Sequence, residues 1–163
     1  DVSLIKYQNN EFQPLSEPMG LERCGGMDID YLIAQDMRET IETEIPGSWD
    51  NLQKNQNRFL RFTRQINELA VKAKHHLSSA SLFEEYIEMG MDDVPYQLTV
   101  ARLNEMIAPL VGQTIPTCRR ALEEAGVSAS ELSAVLMRHQ PDPSGAGDGS
   151  ENYGKARAVR RRP

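Results

Sequence analysis

LTVARLNEMIAPLVGQTIPTCRRALEEAGVSASELSAVLM, residues 98–137, predicts two consecutive helices with defined ends. Thr99 precedes the apolar periodicity of the first helix, where its hydroxyl can accept a hydrogen bond from a free backbone N–H. Pro116 stands in the first turn of the second helix and Gly126 stands just beyond its last turn. These are the positions that proline and glycine favour at helix ends.

The same stretch ends in a predicted strand. Ser128 and Glu131 have the spacing of a capping box, which indicates a short helical turn. AVLM, residues 134–137, is a short apolar run of the kind that becomes a buried strand. After this run the periodicity stops, and Pro, Gly, Asp and Arg become frequent. We therefore expect a folded part over residues 1–137 and a disordered basic tail over residues 138–163.

The N-terminal part predicts a hairpin followed by a helix. DVSLIKYQ and EFQPLSE are expected to pair as strands around Asn9 and Asn10, which tolerate the positive φ of a tight turn. Gly25 and Gly26 then precede a run with helical periodicity. The apolar side of that helix consists of Ile29, Leu32, Ile33, Met37 and Ile41.

A second long helix is expected after Pro46 and Gly47, with Ser48 or Asp50 as its cap. The following residues, up to about position 79, continue the 3.6-residue period for about eight turns. Its predicted buried stripe consists of Phe59, Phe62, Ile66, Leu69, Ala73 and Leu77.

A mixed face runs beside this stripe. Val71, Lys74, His75 and Ser78 are spaced i, i+3, i+4 and i+7, so they share one side of the helix. The face combines an apolar, a cationic, an aromatic and a hydroxyl group. Spacing alone favours a solvated shoulder of an amphipathic helix over a binding site.

SLFEEYIE and VPYQLT predict a second hairpin, with Pro95 confining its return strand to a sheet edge. The predicted order is therefore β-β-α-α-β-β-α-α-β. Such an alternation indicates an α/β or mixed α+β fold with strands in a mixed sheet, and it excludes a helical bundle.

Composition and charge limit the classes of function. The 163 residues are 39% hydrophobic and 26% charged, which is ordinary for a globular protein. The net charge is −6, and residues 138–163 carry six basic and three acidic residues, so residues 1–137 carry −9. An acidic body argues against nucleic acid as a partner, because neutralising phosphates needs surplus Lys and Arg.

Cysteines and targeting signals point to a reduced compartment. Cys24 and Cys118 are far apart and have no CxxC or metal-ligand spacing, so we expect free thiols. No stretch approaches 18 consecutive apolar residues, and the start lacks the pattern of a signal peptide. We therefore expect a cytoplasmic protein without a membrane partner.

Four motifs, in order, resemble one family. DVSLIKYQNNEF, CGGMDID, VKAKHHLSSA and the stretch from residue 98 to residue 137 are similar to the nucleotide-binding domain of the seventy-kilodalton heat-shock (DnaK-type) chaperones. The resemblance implies an actin-like, ribonuclease-H-like ATPase fold of two lobes. It covers residues 1–137 and implies the second lobe, chiefly its upper subdomain IIB with pieces of the base sheet of subdomain IIA.

The resemblance changes the interpretation of the mixed face. It implies that Lys74 donates to the ribose, that His75 lies against the adenine and that Ser78 hydrogen-bonds the base of ATP or ADP. Val71 departs from the family, which usually has a Glu here that accepts hydrogen bonds from the ribose hydroxyls. Losing one charge-assisted hydrogen bond weakens binding by about 1.5 to 3 kcal/mol.

Three further positions follow from the resemblance. Gly25 and Gly26 match a glycine pair that lines the nucleotide cleft, where backbone approaches the ligand closely. Asp1 matches the last acid of a phosphate loop, which acts near Mg²⁺ and K⁺ through water. The glycines that would precede this acid are not in the sequence.

The resemblance implies a truncated ATP-binding domain of a chaperone. No residue is assigned as catalytic, because the groups that position the phosphates and metal belong to the other lobe, and we expect no activity in isolation. Two alternatives stay open: a stand-alone interaction module that nucleotide-exchange factors grip, or a degraded gene product without selected function. Apolar sheet edges exposed in such a fragment would favour self-association.

The tail suggests a shifted reading frame. A permitted back-translation of the residues from Arg138 onward, displaced by one base, encodes GISRIPPVREMVRRIM, which resembles the adenine-binding continuation of the family. We therefore expect residues 138–163 to be translated out of frame. The DNA sequence of the gene tests this hypothesis.

Overall fold

The computed structural model of the chain describes residues 1–90, 92–137 and 157–160. The chain divides into two units, one comprising Asp1 and Gly20–Thr117 and the other Val2–Met19 and Cys118–Pro163. Within the described ranges, no helix combines the length and the apolar character needed to cross a bilayer.

The predicted N-terminal hairpin is confirmed. Strands β1 (Ile5–Gln8) and β2 (Glu11–Pro14) pair antiparallel, with Gln8 opposite Glu11. The two linking residues, Asn9 and Asn10, have φ of 54° and 64°. Positive φ at both central residues is the signature of a type I′ turn, which Asn adopts more readily than most residues.

The long helical region is interrupted, so the prediction of one continuous helix from residue 48 was wrong. Helix α1 spans Gly26–Glu44, α2 spans Ser48–Gln53 and α3 spans Gln56–His76. Asn55 is extended, with φ of −127°, and its side chain accepts a hydrogen bond from the N–H of Arg58. Asn55 is therefore the N-cap of α3, and the helical region is interrupted between α2 and α3.

The start of α2 also differs from the prediction. Gly47, with φ of 78°, occupies the cap position, and Ser48 and Asp50 lie inside the helix. The free N–H groups of Gly47 and Trp49 donate instead to the carboxylate of Glu42, at 2.5 and 3.2 Å. A side chain from the preceding helix thus performs the capping.

A single hydrophobic core holds the first unit together. Its fully buried members include Ile33, Met37, Ile41, Ile66, Ile87, Tyr96 and Leu98. Phe62, Ala73 and Leu77 of the predicted α3 stripe are also buried, while Phe59 and Leu69 are partly buried against the core. The predicted apolar side of α3 is therefore confirmed, and that of α1 is confirmed for Ile29, Ile33, Met37 and Ile41 but not for Leu32, which is half-buried outside this core.

The second hairpin forms as predicted. Strands β3 (Leu82–Glu88) and β4 (Asp93–Thr99) pair antiparallel, and alternate residues of each strand are buried. The hydroxyl of buried Tyr96 donates to Asp36 Oδ2 at 2.9 Å, and burial raises the pKa of Tyr96. One face of the hairpin therefore covers the core, and the other faces outward.

The helices after β4 also match the prediction. Helix α4 (Val100–Gly112) is capped by Thr99, whose hydroxyl accepts from the N–H of Arg102 at 3.1 Å. Helix α5 spans Thr114–Glu124 and is followed by Gly126 with φ of 64°.

The second unit has a smaller core, in which Leu4, Met19 and Ala121 are buried. The N–H of Ser128 donates to Glu131 at 2.7 Å, as the capping-box spacing suggested. Strand β5 (Ala134–Met137) follows, but Val135 is 47% exposed and Leu136 64% exposed, so the prediction of a buried strand was wrong. Burial would need another layer on a face of the strand, and the described residues leave both of these side chains uncovered.

The partner of β5 was not expected. Strand β6 (Arg157–Arg160) pairs antiparallel with β5, where the sequence had predicted a disordered tail. The rest of that predicted tail, residues 138–156 and 161–163, lies outside the described residues.

The mixed sheet is not observed among the described strands, which form three separate antiparallel pairs. Each pair is a local hairpin or a simple two-strand ladder. The described part therefore combines helices and strands as predicted, without the parallel pairing that a mixed sheet needs.

Candidate functional site

The start of α1 and the end of α3 meet at Lys74. Its ammonium donates to Asp30 Oδ2 at 2.7 Å and to the backbone carbonyl of Gly26 at 3.1 Å. The side chains of Lys74 and Asp30 are only 23% and 18% exposed. Two predicted site residues, Gly26 and Lys74, are thus in direct contact although 48 positions separate them.

The two glycines of the pair have different roles. A Cβ on Gly26 would lie 3.3 Å from Lys74 Nζ, which is closer than most real Cβ contacts. A Cβ on Gly25 would meet its nearest neighbour, Asp28 Oδ2, at an ordinary 4.0 Å. Gly26 is therefore the position where the missing side chain makes room for the ammonium.

Asp28 satisfies the free N–H of Gly25. Its Oδ2 accepts this hydrogen bond at 2.8 Å, at the start of α1. A carboxylate in the first turn also interacts favourably with the positive end of the helix dipole. The glycine turn is thus fixed by a neighbouring acid.

Asp30 is the site residue that the sequence did not predict. Its second oxygen, Oδ1, is buried and has no hydrogen-bond partner among the described residues. No local spacing signals its role, because its partner Lys74 lies 44 positions away on another helix. Only the packing of α1 against α3 brings the two side chains together.

The remaining residues of the mixed face are more accessible. Val71 is half-buried, whereas His75 and Ser78 are exposed. The Ser78 hydroxyl donates to the carbonyls of His75 and Lys74, at 2.8 and 3.2 Å, which leaves its lone pairs available to accept. The face therefore presents an exposed imidazole, a hydroxyl oxygen and an ammonium.

Asp1 has a different neighbour from the residues of this face. Its carboxylate approaches Gly20, where the absence of a side chain leaves it room. No contact joins Asp1 to Lys74 among the described residues. Nor does the described part of the chain contain a group of three or more His, Cys, Asp or Glu side chains arranged to hold a metal ion.

Two cavities lie beside the described helices and involve other residues. One cavity of about 300 Å³ is lined by α1 and α4 residues such as Tyr31 and Leu110, and another of about 330 Å³ is lined by residues such as Ser48 and Met89. Neither of these two cavities includes Lys74.

Comparison with known proteins identifies relatives that match most of the chain. Residues 1–138 match the family model described as Hsp70 protein. The chaperone protein HscA of Shigella boydii serotype 18 is 33% identical over 137 residues, and that of Cronobacter sakazakii is 34% identical over the same length. HscA of Escherichia coli K12 is also 33% identical over 137 residues.

These matches cover 84% of the chain but only 20% of each relative, so the chain spans about a fifth of their length. The match to the family model extends over more than four-fifths of the chain. The described residues combine helices and strands, which is consistent with the actin-like ATPase fold of that family. The chain therefore belongs to the Hsp70 family of chaperones.

Proposed function

We propose that the chain is part of the nucleotide-binding domain of an Hsp70-type chaperone and that the end of α3 contacts the adenosine of ATP or ADP. The observation that carries this proposal is the contact of Lys74 with Gly26. Family membership supplies the ligand class, and this contact supplies a cationic group beside a glycine turn.

The chemistry of the face suits an adenosine. Two of the three ammonium donors of Lys74 have protein partners, and the third can meet a ribose hydroxyl. Ser78 can accept a hydrogen bond from an exocyclic amine, and the exposed ring of His75 offers a plane for the base. Each of these groups acts by binding, and none is placed to transfer a phosphoryl group.

We expect Val71 to weaken the binding of ATP or ADP. The resemblance to DnaK-type chaperones implies a Glu at this position, and a valine side chain accepts no hydrogen bond. One missing charge-assisted hydrogen bond lowers affinity by about ten- to a hundredfold.

We infer that the chain does not hydrolyse ATP by itself. Phosphoryl transfer depends on positioning the phosphates, the metal ions and the attacking water. Asp1 is the only residue that we assign near Mg²⁺ and K⁺, and one carboxylate is too few to hold Mg²⁺ without other ligands.

Titration of the ¹⁵N-labelled chain with ADP tests the proposal. We expect progressive, unsaturated amide shifts centred on Lys74, His75 and Ser78, with a dissociation constant weaker than about 1 mM. Amides near Gly47, at the far end of α1, serve as the internal control and should not move. Inorganic phosphate and adenosine, titrated separately, show which half of the ligand produces the shifts.

Two outcomes contradict the proposal in different ways. Shifts centred elsewhere, or none at all, exclude the α3 face as the adenosine site. Micromolar affinity for ADP, measured in parallel by isothermal titration, would show instead that the missing acceptor at Val71 does not weaken binding.

A second candidate function is an interaction module for a nucleotide-exchange factor. It is favoured by the outer face of the β3–β4 hairpin, where Tyr86 is 65% exposed and lies directly opposite Pro95. Exposed Glu84 and Glu88 flank this pair on β3. An apolar centre with an acidic rim fits a basic protein partner.

A further inference from the structure

We propose that Asp30 is a positioning residue: it holds the ammonium of Lys74 in place for the nucleotide. This inference rests on the proposed function and adds to it a residue that the mixed face does not contain. Its basis is the mostly buried ion pair between the two side chains, with Asp30 Oδ2 at 2.7 Å from Lys74 Nζ.

The geometry fixes the ammonium without using all its donors. Asp30 and the Gly26 carbonyl accept two of the three N–H groups of Lys74. A free lysine side chain carries about 2 kcal/mol of rotamer entropy. Because the protein has already restrained this side chain, a ligand that meets the third N–H loses less entropy on binding.

The packing of α1 against α3 does not rest on this pair alone. Helices α1 and α3 already pack through buried apolar residues, among them Ile33, Met37, Ile66 and Ala70. A buried ion pair often contributes little compared with apolar residues of similar volume, since desolvation offsets the attraction. Its geometry therefore points to a role in placing Lys74.

Two acidic residues near the start of α1 accept hydrogen bonds from different donors. Asp28 accepts from the N–H of Gly25 and fixes the glycine turn. Asp30, two positions later, accepts from Lys74 across the gap between the helices. A lysine at the positive end of a helix dipole is unfavourable, and the charge of Asp30 compensates for it.

The same helix supplies a matched control. Lys72 pairs with Glu85 of β3, but these side chains are 61% and 37% exposed. An exposed pair is weak and hydrated. Glu85→Gln therefore removes one ion pair from α3 without touching Lys74 or Asp30.

The first measurement is proton exchange at the lysine ammonium groups, observed by NMR at low temperature in the full chain. We expect the Lys74 ammonium signal to persist while that of exposed Lys54 is lost to exchange with water. Asp30→Asn should abolish the Lys74 signal. Gly26→Ala, whose Cβ would lie 3.3 Å from Lys74 Nζ, should weaken it without altering Asp30.

The second measurement is the ADP titration of these variants. Asp30→Asn is expected to reduce the initial slope of the Ser78 and His75 shifts by roughly two- to tenfold. Asp30→Glu should retain part of the response, because it keeps the charge, and Glu85→Gln should match the wild type. If Asp30→Asn does not fold, the ammonium exchange of Lys74 compared with Lys54 in the wild type, together with the response of Asp30→Glu, still tests the role of Asp30.

The outcomes separate this inference from the function on which it rests. A Lys74 ammonium that exchanges as fast as that of Lys54 overturns the positioning role, whatever ADP does. A wild-type response to ADP that Asp30→Asn leaves unchanged also overturns it, while the proposed function stands. No response to ADP in the wild type overturns the function, and the inference falls with it.

Discussion

Neighbouring residues of the same type have different roles on α3. Lys72 and Lys74 are two positions apart, which is about 200° around the helix. Lys72 reaches the exposed Glu85, whereas Lys74 reaches the mostly buried Asp30. Helical geometry thus places one lysine beside β3 and the other beside α1.

The adjacent histidines show the same effect. His75 is exposed on the mixed face. The Nε2 of His76 lies 3.0 Å from the carbonyl oxygen of Leu82, and its ring packs edge-on to Phe83 with centroids 5.6 Å apart. His76 therefore connects the end of α3 to β3, and His75 remains available to a ligand.

Val71→Glu should strengthen nucleotide binding. Residue 71 lies three positions before Lys74 on the same side of α3, and a glutamate there can accept hydrogen bonds from ribose hydroxyls. One charge-assisted hydrogen bond is worth about 1.5 to 3 kcal/mol, so affinity for ADP should rise at least tenfold. Isothermal titration or the NMR shifts measure the change.

Val71→Gln is the control for this prediction, because it offers a neutral acceptor of the same length. It should give a smaller gain than Val71→Glu. Equal affinities for the wild type and the glutamate variant would show that residue 71 does not face the ribose.

At the residue scale, sequence predicted the members of the mixed face but not what holds them. Spacing placed Val71, Lys74, His75 and Ser78 on one side of a helix, and the resemblance gave them a ligand. Asp30 could not be found in this way, since its contact with Lys74 depends on the packing of two helices. The different roles of Gly25 and Gly26 also depend on that packing.

At the scale of the element, apolar periodicity predicted the buried faces of the long helices, whereas two helix starts were missed. The α3 stripe is buried as predicted. The break between α2 and α3 was missed, because the 3.6-residue spacing of apolar residues continues on both sides of Asn55. The cap of α2 was also missed, because it comes from Glu42, a residue of the preceding helix.

Glu42 should make the stability of the chain depend on pH. Hydrogen bonds from the backbone N–H groups of Gly47 and Trp49 hold the pKa of Glu42 below its ordinary value of 4.5. A carboxyl whose pKa is lower in the folded state stabilises the fold above its unfolded pKa, and this contribution is lost as pH falls through the folded pKa. Glu42→Gln should therefore melt below the wild type at pH 7.

The difference in melting temperature should shrink as pH falls below about 4.5, which thermal unfolding followed by circular dichroism can measure. Glu39→Gln, an exposed position one turn earlier on α1, is the control and should change the midpoint little. A difference between Glu42→Gln and the wild type that is constant from pH 7 to pH 3 contradicts the capping role of the ionised carboxylate.

For the whole molecule, the sequence predicted the order of elements far better than the pairing of strands. Each hairpin and helix depends on residues close in the chain, such as the Asn9–Asn10 turn and the Thr99 cap. A mixed sheet depends on contacts between distant strands, and the described strands form antiparallel pairs only. AVLM is apolar enough for a core, yet pairs with β6 alone and stays exposed.

The chain changes in character after residue 137. The family match ends at residue 138, where the predicted frame shift begins. We propose that residues 138–163 are encoded out of frame, so that the gene continues the family sequence one base away. Strand β6 belongs to this segment, and its pairing with β5 carries no functional assignment.

The exposed β1–β2 hairpin leads to a prediction about association. Its residues face outward on both sides, with Tyr7 61% exposed and Phe12 74% exposed, and their rings lie 4.8 Å apart on paired strands. A two-stranded hairpin has free edges, and exposed apolar edges promote pairing between chains. We expect reversible self-association that increases with concentration in sedimentation velocity.

Phe12→Lys should shift this equilibrium towards the monomer, because it places a charge on the apolar face beside a free edge. Tyr86→Lys is the matched control: it replaces an aromatic residue that is 65% exposed on the other hairpin, β3–β4, and should leave association unchanged. If Tyr86→Lys disperses the chain and Phe12→Lys does not, association occurs through β3–β4 instead. A wild type that stays monomeric at every accessible concentration excludes the hairpin as an association surface.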